Sequence, residues 1–243
     1  MHPSPNAGGG ENRALSTPAV TEMLQLHYFP GNASLIVHLV LEEIGAPFML
    51  EYVDRDQAAH KAPAYLALNP NGLIPVLVDD AIRDGDGAPL VLYETAAISM
   101  HLADTRPGAA LLPAVGTAER ARAYKWLAWC TSTLQAALIL YFYPERWADG
   151  ADGAAVVKAH AETKIGAMLD QIDAELARRR GRWFLGDAYS VVDPYLFVLC
   201  RWTRGFARPA RSLPNVAPWL ERMLARPAVQ RALATEKLKA PFV

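Results

Sequence analysis

Cysteine is scarce in this 243-residue chain, which holds two, Cys130 and Cys200. Two thiols cannot build a disulfide framework, and their spacing fits no metal-ligand pattern, so a reduced, cytoplasmic setting without a metal is expected. No apolar run approaches the ~20 residues that cross a bilayer, so no membrane association is expected. An excess of one charge is also missing: 24 Lys and Arg face 25 Asp and Glu. That balance offers no basic face in bulk and argues against nucleic acid or an anionic membrane as the main partner. Residues 1–22 are rich in Pro, Gly, Ser and Asn and contain no long apolar segment. They read as a flexible extension rather than a signal peptide.

What is present is ordinary globular material. With 52 % hydrophobic and 20 % charged residues, the chain can bury a substantial core in one or two domains. Leu24 to Tyr28 reads as a short strand ending at Pro30-Gly31. Ile36, Leu39, Val40 and Ile44 then recur at helical spacing, and Gly45 with Pro47 stops that helix. Phe48 to Val53 reads as a second strand, giving a parallel βαβ unit. After a variable polar stretch, Asn69-Pro-Asn-Gly72 is a turn signal. Ile74 to Val78 and Leu90 to Tyr93 follow as a hairpin with a loop from Asp80 to Pro89, and Glu94 to Asp104 reads as a helix.

From Ala118 onward the pattern is helical, with apolar stripes at Trp126, Trp129, Cys130 and Leu134; at Ile165, Met168, Leu169, Ile172 and Leu176; and at Leu196, Leu199, Cys200 and Thr203. The change of character predicts residues 23–106 as an α/β domain, 107–117 as a linker and 118–243 as an all-helical domain. Both cysteines fall on these stripes and read as small buried hydrophobes.

Three features of the first half bear on chemistry. Pro30-Gly-Asn-Ala-Ser34 lies where strand one meets helix one. A helix N-terminus offers unpaired N–H groups and a partial positive charge, which lower the pKa of a thiol held there. Lowering a thiol by two units takes about 3 kcal/mol, within reach of one charge-assisted hydrogen bond plus the helix end. The alternative is that Asn32 or Ser34 merely caps the helix. Ile74-Pro75 follows the turn; a cis bond there would expose the Ile74 backbone to an added peptide strand, whereas a trans bond would be a plain strand start. Tyr93-Glu-Thr-Ala96 stands at a strand-to-helix junction, where Glu94 suits an ammonium and the Thr95 amide and hydroxyl suit a carboxylate. Read alone, Thr95 is a helix cap.

In order and spacing, these segments resemble the soluble glutathione transferase superfamily, and most closely its bacterial beta-like members. The resemblance rests on Tyr28-Phe-Pro-Gly-Asn-Ala-Ser-Leu35, Leu41-Glu-Glu-Ile-Gly45, Asn69-Pro-Asn-Gly-Leu-Ile-Pro-Val-Leu77 and Leu92-Tyr-Glu-Thr-Ala-Ala-Ile98. It also includes Ser190-Val-Val-Asp193 as a capping box in the second half. It implies a thioredoxin-like N-terminal domain and a helical C-terminal domain, usually assembled as a homodimer. It further implies glutathione as co-substrate, with Ile74 and the cis Pro75 on its cysteinyl part and Glu94 and Thr95 on its γ-glutamyl end. Ser34, Tyr28 and Asn32 are the candidates to activate the thiol. Lys61 and Arg55 are candidates for the basic residue after strand two.

Two departures matter. Ala33 stands where beta-like enzymes commonly carry a cysteine, and Gln135 where they often carry a histidine. Ala33 removes a mixed disulfide between that position and glutathione. The leading expectation is conjugation of glutathione to small hydrophobic electrophiles, with Tyr141-Phe-Tyr143 and Trp126 or Trp129 around the second pocket. A glutathione-dependent disulfide or peroxide reductase, and a non-catalytic ligand- or protein-binding member, are the alternatives.

Overall fold

The structure, a computed structural model, describes residues 23–243; the extension read at 1–22 lies outside the described residues. Strand β1 (Leu24–Tyr28), helix α1 (Ser34–Ile44) and strand β2 (Phe48–Tyr52) form the expected parallel unit, with Leu26 opposite Leu50. A helical turn (Ala59–Lys61) and the short α2 (Pro63–Leu66) occupy the stretch that sequence left unassigned. Strands β3 (Val76–Arg83) and β4 (Pro89–Tyr93) are antiparallel and precede α3 (Thr95–Thr105). The sheet order is β2-β1-β3-β4, with β3 antiparallel to β1, a mixed sheet of the thioredoxin-like kind.

The hairpin departs from expectation: β3 runs on to Arg83, so the loop read from Asp80 to Pro89 shrinks to a tight turn, with the Asp84 N–H on Ala88 O at 2.9 Å. Polar residues had suggested the longer loop. In the fold, neighbouring Asp79 is 1 % exposed and its carboxylate meets His101 Nε2 at 2.9 Å. A buried, paired carboxylate is compatible with a strand.

Helix α1 ends as read, with Gly45 at φ +69° and its N–H on Leu41 O at 3.0 Å. Its burial is wider than the single predicted face. Ser34 through Leu41 are all buried, while Ile44 is only partly so. The helix is covered on one side by the sheet and α3 and on the other by helices of the second half, so more than one stripe must be apolar.

The second half is helical throughout: α4 (Ala118–Trp129), a π-helical turn (Cys130–Gln135), α5 (Ala136–Phe142), the 30-residue α6 (Gly150–Arg179), α7 (Val192–Trp202), α8 (Val216–Leu224) and α9 (Pro227–Thr235). The capping box forms at the start of α7. The Asp193 carboxylate accepts the Ser190 N–H at 3.0 Å, and Ser190 Oγ accepts the Val192 N–H at 3.3 Å. Asp193 also takes the Phe184 N–H at 2.8 Å and the Trp219 indole N–H at 3.1 Å, so one buried carboxylate joins α7, α8 and the preceding loop. Both cysteines are buried. Burial pushes their thiols up, that of Cys200 to about 12, which makes them poor nucleophiles.

Several polar ties fix one half against the other, these three among them. Arg120 grips Asp104 with one nitrogen on both oxygens, at 2.7 and 2.8 Å. Arg226 holds Glu43 through two nitrogens at 2.5 and 2.6 Å. Glu236, beyond α9, reaches into the first half, accepting the Gly31 N–H at 2.8 Å and meeting His38 Nδ1 at 2.8 Å. Breaking such a tie is costly where the polar group left behind is buried, as Arg120, His38 and Glu236 are.

Candidate functional site

The loop between β1 and α1 is held from several directions. Ser34 Oγ donates to Phe29 O at 3.1 Å and accepts the Phe29 N–H at 3.2 Å. The Trp202 indole N–H donates to Gly31 O at 3.0 Å, while Glu236 takes the N–H of the same glycine. Asn32 Oδ1 accepts the Ala33 N–H at 2.5 Å. Among the described residues, the Asn32 Nδ2 and the Ser34 N–H have no hydrogen-bond acceptor. Those two donors stand at the N-terminus of α1, where its dipole is positive.

A cleft opens beside this loop, between the first half and helices α5 and α7. Its inner part has a volume of about 330 Å³ and its outer part about 210 Å³; Asn32, Arg55, Ile139, Tyr143 and Trp202 border both. That size suits a small-molecule site of roughly 300–1,000 Å³. Its charge is one-sided. Arg55, Lys61 and Arg146 line the inner part and Arg204 the outer, and no Asp or Glu lines either. Arg55 hydrogen-bonds the Tyr143 hydroxyl, and Arg146 lies 4.1 Å from the centre of the Tyr143 ring. Burial, then Lys61 and Arg55, push the His60 imidazole below its usual value, which disfavours its charged form.

Lys61 is anchored on the Asn69–Gly72 turn, donating to Gly72 O at 3.0 Å and Asn71 O at 3.3 Å. Gly72 is needed for this: at φ +56°, an added Cβ would lie 2.7 Å from Lys61 Nζ and 2.8 Å from His60 O. Next to it, the Ile74-Pro75 peptide is cis. Ile74 lines the cleft, and its backbone N–H and C=O find no partner among the described residues. It therefore offers an open strand edge.

Glu94 is exposed at the head of α3, with φ +74°. A positive φ at a residue with a side chain costs about 1–3 kcal/mol and concentrates at functional sites. Thr95 behind it is buried. The Tyr195 hydroxyl donates to Gln135 Oε1 at 2.6 Å. Gln135 lines the cleft from the π-helical turn, an element often found at functional sites.

Of the residues read from sequence, Asn32, Lys61 and Ile74 line the cleft, together with Arg55 and Gln135. Pro75 precedes β3, and Glu94 and Thr95 start α3; none of the three lines the cavity itself. Ser34 and Tyr28 do not line it either. The Ser34 hydroxyl is fully buried and spent on Phe29, and Tyr28 packs edge-on against His38 and Tyr52. Phe142 and Tyr143 reach the cleft, whereas Tyr141 stacks on Phe206 and Trp126 packs in the core against Phe184 and Trp129. His60, Ile139, Arg146, Trp202 and Arg204 were not singled out. The cations two or three residues from an aromatic, in Tyr143-x-x-Arg146 and Trp202-x-Arg204, were the available signal. No cluster of three or more His, Cys, Asp or Glu among the described residues is arranged to hold a metal.

A thioredoxin-like sheet coupled to an all-helical half, with a cationic cleft between them at a helix N-terminus, defines the class. Residues 32–105 match the glutathione S-transferase N-terminal domain, and residues 129–227 the glutathione S-transferase C-terminal domain. The chain is 31 % identical to glutathione S-transferase GstA of Escherichia coli O157:H7, covering 89 % of this chain and 100 % of the relative. It is 34 % identical to glutathione S-transferase GST-4.5 of Xanthomonas campestris pv. campestris, covering 88 % and 100 %. A solved glutathione transferase homolog from Sulfitobacter with bound glutathione superposes with a TM-score of 0.78 at 29 % identity, over 89 % of this chain and 99 % of that one. The chain belongs to the glutathione S-transferase family.

Proposed function

We propose that this protein is a glutathione transferase that binds glutathione, stabilises its thiolate and conjugates it to a second, electrophilic substrate. The observation that carries this reading is the cationic cleft with free donors at the α1 N-terminus, next to the unpaired edge of Ile74. Glutathione brings two carboxylates, one ammonium and a thiol. Ile74 is assigned the cysteinyl backbone, Glu94 the ammonium, Thr95 the γ-glutamyl carboxylate and Lys61 the glycyl carboxylate.

For the thiolate, the geometry favours Asn32 over Ser34. The Asn32 amide borders the cleft with its NH₂ unspent, whereas the Ser34 proton is already donated to Phe29 O. Ser34 is then a positioning residue that holds the turn, and Tyr28 supports α1 from the sheet side. The thiolate sulfur attacks an electrophilic carbon. A C–S bond forms, the leaving group departs with its electron pair, and the protein supplies orientation and fixed positive charge.

Residues 23–106 are taken as the glutathione-binding domain, 107–117 as the linker and 118–243 as the helical domain. A homodimer is part of the same proposal; the groove between α3 and α4 that holds Met100, Tyr124 and Leu127 is the candidate face. A cytoplasmic, detoxifying role is proposed with it, and sedimentation tests the dimer.

The deciding experiment is a pH titration of thiolate ultraviolet absorbance in mixtures of glutathione and protein. An apparent thiol pKa well below that of free glutathione is expected. Binding without such a shift would refute thiol activation, and no binding would refute the enzyme.

A further inference from the structure

The outer part of the cleft is apolar in its walls and cationic at its rim. Phe29, Ile139, Phe142 and Trp202 supply hydrophobic and aromatic surface, while Arg55 and Arg204 supply guanidinium groups. Among the described residues neither arginine has a carboxylate within ion-pair distance. Arg55 gives one donor to the Tyr143 hydroxyl, and Arg204 one to Arg201 O at 3.1 Å. A guanidinium has five donors, so most remain available. Unpaired cations grouped around an apolar cleft stabilise an anion placed among them.

Glutathione does not absorb this charge. Its glycyl carboxylate is assigned to Lys61, on the first-half side next to Gly72. Arg146 and Arg204 lie on the opposite wall, after α5 and after α7. Four cationic side chains line the cleft, from Arg55 to Arg204, against a net charge of about −2 on glutathione thiolate. The surplus faces the place where the second substrate must come.

We propose, on the strength of the transferase reading, that the preferred second substrate is an aromatic or hydrophobic electrophile carrying a carboxylate, held by Arg204 and Arg55. This narrows the small hydrophobic electrophile expected from sequence to one that carries a negative charge. The planar fork of arginine matches a carboxylate bidentately, and the aromatic walls take the ring.

The test compares 4-chloro-3-nitrobenzoate with its methyl ester. In both, the thiolate sulfur bonds to the ring carbon that bears chlorine, and chloride leaves with the bonding pair. Each kcat/KM is divided by the uncatalysed rate constant with glutathione at the same pH, which removes intrinsic reactivity. The carboxylate is expected to be favoured tenfold or more, with the ratio falling as sodium chloride is raised. Arg204→Gln should bring the ratio towards one, and Arg204→Lys should restore part of it. Arg55→Gln is the second variant, and thermal melts establish that each protein is folded. Equal ratios, or preference for the ester, would overturn this inference while leaving the transferase reading intact. Failure to turn over either compound, with no thiolate signal from bound glutathione, would overturn both.

Discussion

The carboxylate of Glu236 accepts the N–H of Gly31, 205 residues earlier, at 2.8 Å, and its other oxygen meets the buried His38 Nδ1 at 2.8 Å. The loop that carries Asn32 is therefore positioned by the far end of the chain as well as by its own strand and helix. Replacing Glu236 with alanine leaves a buried imidazole and an amide without partners. The expected loss is about 2–4 kcal/mol of stability, read by urea unfolding, with a fall in kcat larger than any change in KM for glutathione. An unchanged urea midpoint together with unchanged kcat would show that the contact positions nothing.

Asn32 and Ser34 separate by readout. Asn32→Ala removes a donor assigned to the thiolate, and a hydrogen bond to a charged group is worth about 1.5–3 kcal/mol. The apparent pKa of the bound thiol should rise by roughly one to two units. Ser34→Ala should cost about 1–2 kcal/mol of stability through the Phe29 contacts and shift the thiol pKa much less. Thiolate absorbance measured against pH in both variants decides; the opposite ranking would return Ser34 to the catalytic role.

Gly72→Ala places a Cβ 2.7 Å from Lys61 Nζ at a backbone φ of +56°. Lys61 must give way, and the left-handed conformation costs roughly 1 kcal/mol with a side chain. A several-fold rise in KM for glutathione is expected with little change in kcat, measured by steady-state kinetics. A pure loss of stability at constant KM would place Lys61 outside the glutathione site.

His27 on β1 packs edge-on against Tyr65 at 5.9 Å between ring centroids. Burial pushes its pKa below 6.5, and the charge of Glu51 only partly opposes this. A lowered folded-state pKa means that the unfolded chain binds the proton more readily. The stability from His27 is therefore full above pH 6.5 and is lost as the pH falls through the lowered folded value. Urea midpoints should decline from pH 7.5 to 5.0, and His27→Phe should flatten part of that decline. An identical slope in the variant would assign the pH dependence to other groups.

The strands β1 and β2, the stop of α1 at Gly45 and the capping box at Ser190 and Asp193 were legible because each depends on local chemistry. Apolar periodicity, a glycine able to adopt positive φ, and a carboxylate three residues from a serine act within a few residues of chain. Asn32, Lys61 and Ile74 were likewise within reach, since each belongs to a turn or strand end with its own sequence signature. The length of β3 was not, because Asp80 to Arg83 reads as loop, and Arg83 pairs with Pro89 only once β4 lies alongside.

The tertiary structure alone decided which side-chain donor was free and which cations converged. Ser34 has the right position in the chain, but the path of the Phe29 turn takes up its hydroxyl. Arg55, Arg146 and the neighbouring pair Trp202 and Arg204 come from three separate segments, and no periodicity links them. What brings them together is the packing of α5 and α7 against the β1–α1 loop, fixed by Glu236 and the Trp202 indole. Short-range preferences wrote the elements into the sequence; the charge of the cleft arose only when distant helices closed on one another.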